Sequence, residues 1–180
     1  FDQVEVLVVD DGSTDGTAEA AEAAGARVIR HGRNLGLGEA FRTSLEHARE
    51  AGYHILVTID ADGQFRPEDI PELVSPILTD RADFVTASRF RDDELVPPEL
   101  PRLKRWGNRR VAGIVSRLSG LDIRDATCGF RAYGPRALER LSSFSRFTYT
   151  QEVIIDLAGK GLRLLEIPLN IRGRRESGRS

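Results

Sequence analysis

The sequence predicts an α/β fold, a doubly wound and mostly parallel sheet flanked by helices. Three observations point there. Short apolar runs rich in β-branched residues alternate with helical stretches along the chain, the pattern of repeated βα units. The runs stop abruptly at acid, glycine or arginine, as buried parallel strands do at their carboxyl ends. With 180 residues, 40% of them hydrophobic and 30% charged, the chain can bury a core in one domain, residues 1–180.

The elements follow in order. Val4–Val9 is a continuous apolar strand that ends at Asp10-Asp11-Gly12. Ser13, Thr14 or Asp15 then caps an alanine-rich helix reaching about Ala24. Arg27–Arg30 is a short strand, and His31–Gly38 a glycine-rich loop. A helix covers Glu39–Ala51, with Ala40, Leu45 and Ala48 as inward candidates. Ile55–Ile59 is the third strand and breaks at Asp60-Ala61-Asp62-Gly63. Pro67 suits the first turn of a helix that reaches about Thr79. Asp83–Ser88 is the fourth strand and ends in Arg89-Phe90. Residues 91–103, with Pro97, Pro98 and Pro101, read as a long functional loop. Arg105–Leu118 is a helix with a basic face formed by Arg105, Arg109, Arg110 and Arg117. A short strand follows Asp125–Arg131, a helix starts at Pro135, Thr150–Gly159 is helical, and Arg163–Ile167 is the last strand. Residues 172–180 form a basic tail that a bound ligand is expected to order.

Composition narrows the function. A net charge of −2 argues against broad electrostatic binding to nucleic acid. Cys128 is the single cysteine, which excludes an internal disulfide framework and fits a reducing compartment. No apolar run approaches the length of a membrane span, and no secretory signal is visible. The chain opens at Phe1 directly into a strand, so a segment upstream is expected.

In doubly wound sheets, ligands bind outside the carboxyl ends of the strands. Asp10, Asp11, Asp60, Asp62 and Arg89 all fall at such ends. Asp60 and Asp62, with Gln64 as a helper, suit a hard divalent cation, Mg²⁺ or Mn²⁺, completed by substrate phosphates. The same two acids also suit a strand terminator and helix cap, and the pair alone does not decide. A phosphorylated receiver domain would share the spacing of Asp10, Asp11 and Asp60, with Thr86 or Ser88 as its hydroxyl. The last strand, however, ends in Pro168-Leu169 without the lysine a receiver needs, and the chain is too long. A phosphatase with Asp60 as nucleophile needs a hydroxyl residue where Gln64 stands.

Six motifs lie in order along the chain: VVDDGSTDGT (8–17), HGRNLGLGEA (31–40), DADGQ (60–64), ASRF (87–90), DATCGFRAY (125–133) and RESGRS (175–180). In this order they resemble the family 2 glycosyltransferases, particularly dolichyl- and polyprenyl-phosphate mannosyltransferases and their bacterial glucosyl relatives. The resemblance covers nearly the whole chain. It implies the glycosyltransferase A-type, Rossmann-like fold. It also implies an inverting, metal-dependent transfer of a hexose from a nucleotide sugar, GDP-mannose favoured, to a polyprenyl or dolichyl phosphate. A UDP-sugar-dependent transferase acting on a lipid phosphate or a sugar hydroxyl shares these motifs. A lipid acceptor implies contact with the cytoplasmic face of a membrane.

The resemblance also assigns residues. Asp10 and Asp11 would contact the nucleoside, and Asn34, Gly36 and Gly38 would let a loop close over the nucleotide. Asp60, Asp62 and Gln64 would hold the metal, with Asp60 also on the donor side. Arg89 would meet the acceptor phosphate or donor diphosphate, and Lys104, Arg105, Arg109 and Arg131 would add to the acceptor phosphate site. Arg175 and Ser180 would cover the donor diphosphate. Asp125 matches a general base in relatives with hydroxyl acceptors. A phosphate acceptor is already anionic, so Asp125 is then expected to orient Arg131 or another basic group. Cys128 is expected to pack. The Gln-x-x-Arg-Trp of processive synthases is absent, since Gln151 is followed by Glu152-Val153-Ile154, and polymerisation is not expected. The family's opening strand, which ends in a Pro-x-Tyr-Asn-Glu-like segment, is not seen ahead of Val4. That leaves an inactive fragment or assembly module as the reading from another class.

Overall fold

The computed structural model describes residues 3–92, 102–142 and 149–169, with only the backbone of Arg102 and Lys104. Most of the predicted long loop, and the tail with Arg175 and Ser180, lie outside the described residues. Two compact units emerge, Phe1–Tyr53 with Phe144–Tyr149 and His54–Ser143 with Thr150–Ser180. The strands form one ladder in each unit rather than a single sheet.

The first unit contains β1 (Leu7–Asp10), α1 (Thr17–Ala23), β2 (Arg27–Arg30) and α2 (Leu37–Glu50). β1 and β2 are parallel, with Val8 opposite Val28 and Asp10 opposite Arg30. β1 begins three residues later than the sequence predicts, because Val4 and Val6 are exposed and outside the ladder. Helix α2 buries Phe41, Leu45 and Ala48 at helical spacing. The Phe41 ring stacks on Tyr149 with centroids 4.1 Å apart. None of the three expected residues caps α1: the N-cap is Gly16 in the left-handed region, without a side-chain cap, and Asp15 just ahead of it accepts bonds from the Thr17 amide and hydroxyl.

The second unit contains β3 (Leu56–Thr58), a 3-10 turn (Pro67–Asp69), α3 (Ile70–Leu78), β4 (Phe84–Ser88) and α4 (Arg102–Ser119). It continues with β5 (Arg131–Tyr133), α5 (Pro135–Arg140), α6 (Thr150–Gly159) and β6 (Leu164–Pro168). The sheet order is β3-β5-β4-β6. β4 and β6 are parallel, while β5 runs antiparallel to both its neighbours. Every residue of β4 is buried, as expected of a strand paired on both edges and covered on its faces. Around it Leu73, Val74, Phe130 and Ala132 form the core. Asp83 anchors the lower end of β4 against β6, its carboxylate accepting the Arg163 amide at 2.8 Å and the Arg163 guanidinium at 2.9 Å.

The reversed β5 decides what reaches the functional rim. Its first residue, Arg131, lies opposite Thr58 at the end of β3 and Thr86 in the middle of β4, and the Phe130 carbonyl ahead of it accepts the Ala87 amide at 3.0 Å. The chain just ahead of β5, Asp125–Phe130, is therefore delivered to the carboxyl ends of β3 and β4. The Thr58 hydroxyl fixes this approach by donating to the Gly129 carbonyl at 2.7 Å.

Candidate active site

In the first unit, the turn after β1 and the glycine-rich loop are built around Asp11. Its carboxylate accepts the amides of Leu35 (2.9 Å) and Gly36 (2.8 Å) and lies 2.7 Å from Nδ1 of His31. The other imidazole nitrogen lies 2.9 Å from Oγ1 of Thr43 on α2, so the loop is tied to strand and helix at once. Burial pushes the Asp11 carboxyl up, but the His31 ring and the two amides outweigh it and hold the group below its ordinary value. Asp10 is buried, and its Oδ1 accepts the Ser13 amide at 3.1 Å. Gly12, at φ 83°, meets the loop directly: a Cβ there would stand 2.6 Å from the Arg33 carbonyl carbon and 2.7 Å from the Asn34 nitrogen. His31 was not singled out from sequence. Its signal is its place immediately after β2, whose last residue pairs with Asp10.

In the second unit, the turn after β3 carries Asp60, Asp62 and Gln64. Asp60 is exposed, and the other two are half-buried. Oδ1 of Asp62 accepts the Gln64 amide at 3.1 Å, which closes the turn between these two residues. Gly129 crosses Asp60 so closely that a Cβ would stand 2.8 Å from either carboxylate oxygen. An open depression of about 430 Å³ beside this turn is lined by Ile59, Asp60, Gly63, Phe65 and Arg66. Among the described residues no group of three or more His, Cys, Asp or Glu could hold a metal. Two carboxylates and an amide oxygen nonetheless fit Mg²⁺ or Mn²⁺, which keep most of their positions for water and phosphate oxygens.

Arg89, directly after β4, is held from behind. Its Nε and one terminal nitrogen donate to the two oxygens of Asp125 at 2.6 and 2.8 Å, and that terminal nitrogen also donates to Thr127 Oγ1 at 2.7 Å. The Arg89 amide adds a bond to Asp125 at 3.2 Å. Asp125 is 0% exposed and the Arg89 side chain 22%. Nη1 of Arg89 has no hydrogen-bond partner among the described residues. Burial lowers the guanidinium pKa, yet the bonds and charge of Asp125 more than offset it, so Arg89 stays cationic, with Asp60 adding to the effect.

Beneath this pair lies Glu166, from β6. Its carboxylate accepts the amides of Asp125 (2.7 Å) and Arg124 (3.0 Å), and Arg91 approaches at 3.4 Å. Burial pushes the Glu166 carboxyl above its ordinary value, although these amides and the Ser88 hydroxyl pull it down. The sequence analysis missed this residue. Its signal was an acid inside the apolar run LLEIP, since a carboxylate in such a place must find buried donors.

Arg131 requires a correction. It is fully buried, and its guanidinium donates to the carbonyls of Cys128 (2.7 Å), Thr150 (2.7 Å) and Ala126 (3.3 Å). It braces the backbone and is not presented to an acceptor phosphate; the arginine paired with Asp125 is Arg89. Cys128 packs in the core, its thiol pushed up to about 12 by burial. On α4, Arg105 is half-buried and Arg109 exposed.

Residues 1–142 match the family profile described as glycosyl transferase family 2. An undecaprenyl-phosphate mannosyltransferase of Micrococcus luteus is 32% identical over 187 residues, covering 98% of this chain and 74% of its own. A UDP-N-acetylglucosamine–dolichyl-phosphate N-acetylglucosaminyltransferase of Methanococcus voltae is 32% identical over 184 residues, covering 91% and 73%. Glucosyl-3-phosphoglycerate synthase from Mycobacterium tuberculosis, crystallised with Mn²⁺, UDP-glucose and phosphoglyceric acid, matches with a TM-score of 0.68. That match has 27% identity over 96% of this chain and 61% of the synthase. The chain is thus shorter than each of these proteins, spanning 61% to 74% of their length. Two ladders, parallel in β1–β2 and β4–β6 with β5 reversed, flanked by helices, are consistent with the A-type glycosyltransferase fold, and the structural relative matches over 96% of the chain. Profile, relatives and fold agree, and the chain belongs to glycosyl transferase family 2.

Proposed function

We propose that residues 1–180 serve as one catalytic domain that transfers a hexose, with inversion, from a nucleotide sugar to a polyprenyl or dolichyl phosphate. GDP-mannose is the favoured donor, and the work is done at the cytoplasmic face of a membrane. The observation that carries this reading is the Arg89–Asp125 pair. Both oxygens of Asp125 are committed to a guanidinium, and the carboxylate is sealed from solvent. Such a group is poorly placed to take a proton from a hydroxyl, but well placed to aim a cation at a phosphate. A phosphate acceptor needs no base, because it is already an anion. Relatives described as polyprenyl-phosphate mannosyltransferases support the same acceptor class.

In this reading Asp60, Asp62 and Gln64 hold Mg²⁺ or Mn²⁺, which would neutralise charge on the departing nucleoside diphosphate. Arg89 orients the acceptor phosphate through its unshared terminal nitrogen, with Arg105 and Arg109 as further cationic contacts. Asp125 and Thr127 keep the Arg89 fork from rotating, so its orientation costs little when the acceptor arrives. In the first unit, Asp11 holds the His31–Gly36 loop in shape for the nucleoside, beside Asp10 and Asn34. Arg175 and Ser180 are assigned to the donor diphosphate.

A UDP-sugar donor is the second reading, favoured by the relatives named for UDP-N-acetylglucosamine and the structure holding UDP-glucose. Calorimetric titration with GDP, GDP-mannose, UDP and UDP-glucose, with and without Mn²⁺, separates the two. One nucleotide class is expected to bind in a Mn²⁺-dependent way, with at least a tenfold loss of affinity in Asp62→Ala. Mn²⁺ alone is expected to bind weakly, because the protein supplies only part of its shell. Absence of binding by any nucleotide to folded protein would favour the inactive fragment or assembly module.

A further inference from the structure

Helix α4 is amphipathic in an unusual sense. Asn108, Ala112 and Val115 are buried along one side. Leu103, Trp106, Arg110, Ile114, Arg117 and Leu118 recur at three- and four-residue steps along the opposite side. The apolar members are well exposed: Leu103 76%, Trp106 57%, Ile114 61% and Leu118 65%. Single exposed apolar residues are ordinary, but a stripe of four on one helix face marks a contact surface. The Arg110 guanidinium sits 4.9 Å from the centre of the Trp106 ring, so cation and indole form one amphipathic unit. No acidic residue occurs in the helix sequence RLKRWGNRRVAGIVSRLS.

Charge selects the occupant. A second copy of this face would bring Arg110 and Arg117 against their own kind, which is repulsive. An anionic lipid surface offers phosphates to the arginines, an interfacial layer to the tryptophan and acyl chains to leucine and isoleucine. The helix is about 27 Å long, and among the described residues no helix is apolar enough to cross a membrane. It suits lying in the interface instead.

We propose that α4 is the membrane-docking surface of this protein, lying in the plane of an anionic bilayer with Leu103, Trp106, Ile114 and Leu118 inserted and Arg110 and Arg117 on lipid phosphates. This rests on the reading of a membrane-borne acceptor, but it is testable apart from it. Trp106 is the only tryptophan in the chain, so its fluorescence reports on this face alone. With vesicles of phosphatidylcholine containing about 30% phosphatidylglycerol, its emission shifts to the blue and is quenched by brominated acyl chains. Pure phosphatidylcholine vesicles give a much smaller response, and high salt reverses the effect. Arg110→Gln and Arg117→Gln each lower the partition coefficient about fivefold, and Ile114→Ser and Leu118→Ser each about tenfold.

No shift with anionic vesicles, equal binding to neutral ones, or a blue shift that grows with protein concentration in the absence of lipid each overturns the proposal. The last outcome would put a second copy on the face. A companion assay follows transfer to a short, water-soluble prenyl phosphate without vesicles, using the donor selected by calorimetry. The Ile114→Ser/Leu118→Ser variant keeps wild-type turnover there while losing vesicle binding. Turnover without any vesicle binding by the wild type sinks the docking surface and leaves the transferase reading intact. Vesicle binding without turnover supports the surface and counts against the transferase reading.

Discussion

Asp11 shows how a single carboxylate organises a loop that sequence alone presents as a ligand contact. The ionised group accepts two amides and faces an imidazole in the fold, and none of these is fixed in the unfolded chain. Its folded pKa therefore lies below its unfolded one, and the stabilisation is complete above about pH 4. It fades as the pH falls through the lower, folded value. Asp11→Asn keeps one acceptor oxygen and loses the other, at a cost of about 1–2 kcal/mol. Thermal unfolding of that variant is expected to start lower at neutral pH and to lose less on acidification than the wild type. Parallel acid curves for the two proteins would show that Asp11 does not carry the effect. At this scale the sequence placed Asp10 and Asp11 at the end of one strand, and Asp60, Asp62 and Arg89 after two others, and β1, β3 and β4 do end at Asp10, Thr58 and Ser88. What it could not show was direction. Arg131 looks like a phosphate ligand until its burial is known, and Glu166, although its strand was placed, does not reveal that it turns inward onto the amides of Arg124 and Asp125.

The reversal of β5 is the element on which the second unit's rim depends. A parallel β5 would start at the opposite edge of the sheet and carry Asp125 away from Arg89. Glu166 on β6 then fixes the incoming segment through the amides of Arg124 and Asp125. In Glu166→Gln an NH₂ group replaces one acceptor and meets those donors head-on. Arg89 should lose its aim while the turn after β3 stays intact. The acceptor KM is expected to rise about tenfold, equivalent to roughly 1.4 kcal/mol, with donor affinity by calorimetry changed less than twofold. An equal loss on both substrates would mean a general loosening of the fold. Most elements were legible from their hydrophobic pattern and breakers: Arg27–Arg30 and Thr150–Gly159 match their predicted bounds. The pairing of strands was not, since a three-residue strand such as Arg-Ala-Tyr carries no mark of its direction.

Across the whole chain, burial is unequal. β4 is buried throughout and paired on both edges, whereas both ends of β2 are exposed. Native-state hydrogen exchange is accordingly expected to be slowest in β4 and β5 and faster by a factor of ten or more in β2. Uniform protection would mean that the chain opens only as one cooperative block. The parallel partnership of β4 with β6 also has a consequence for synthesis. Phe84 pairs with Leu164, so this apolar strand leaves the ribosome about 80 residues before the one that covers its edge. At ordinary elongation rates that is roughly 4–16 s during which FVTAS can pair with any passing strand. A nascent chain stalled short of Arg163 should therefore be a chaperone client, and one released past Leu169 should not.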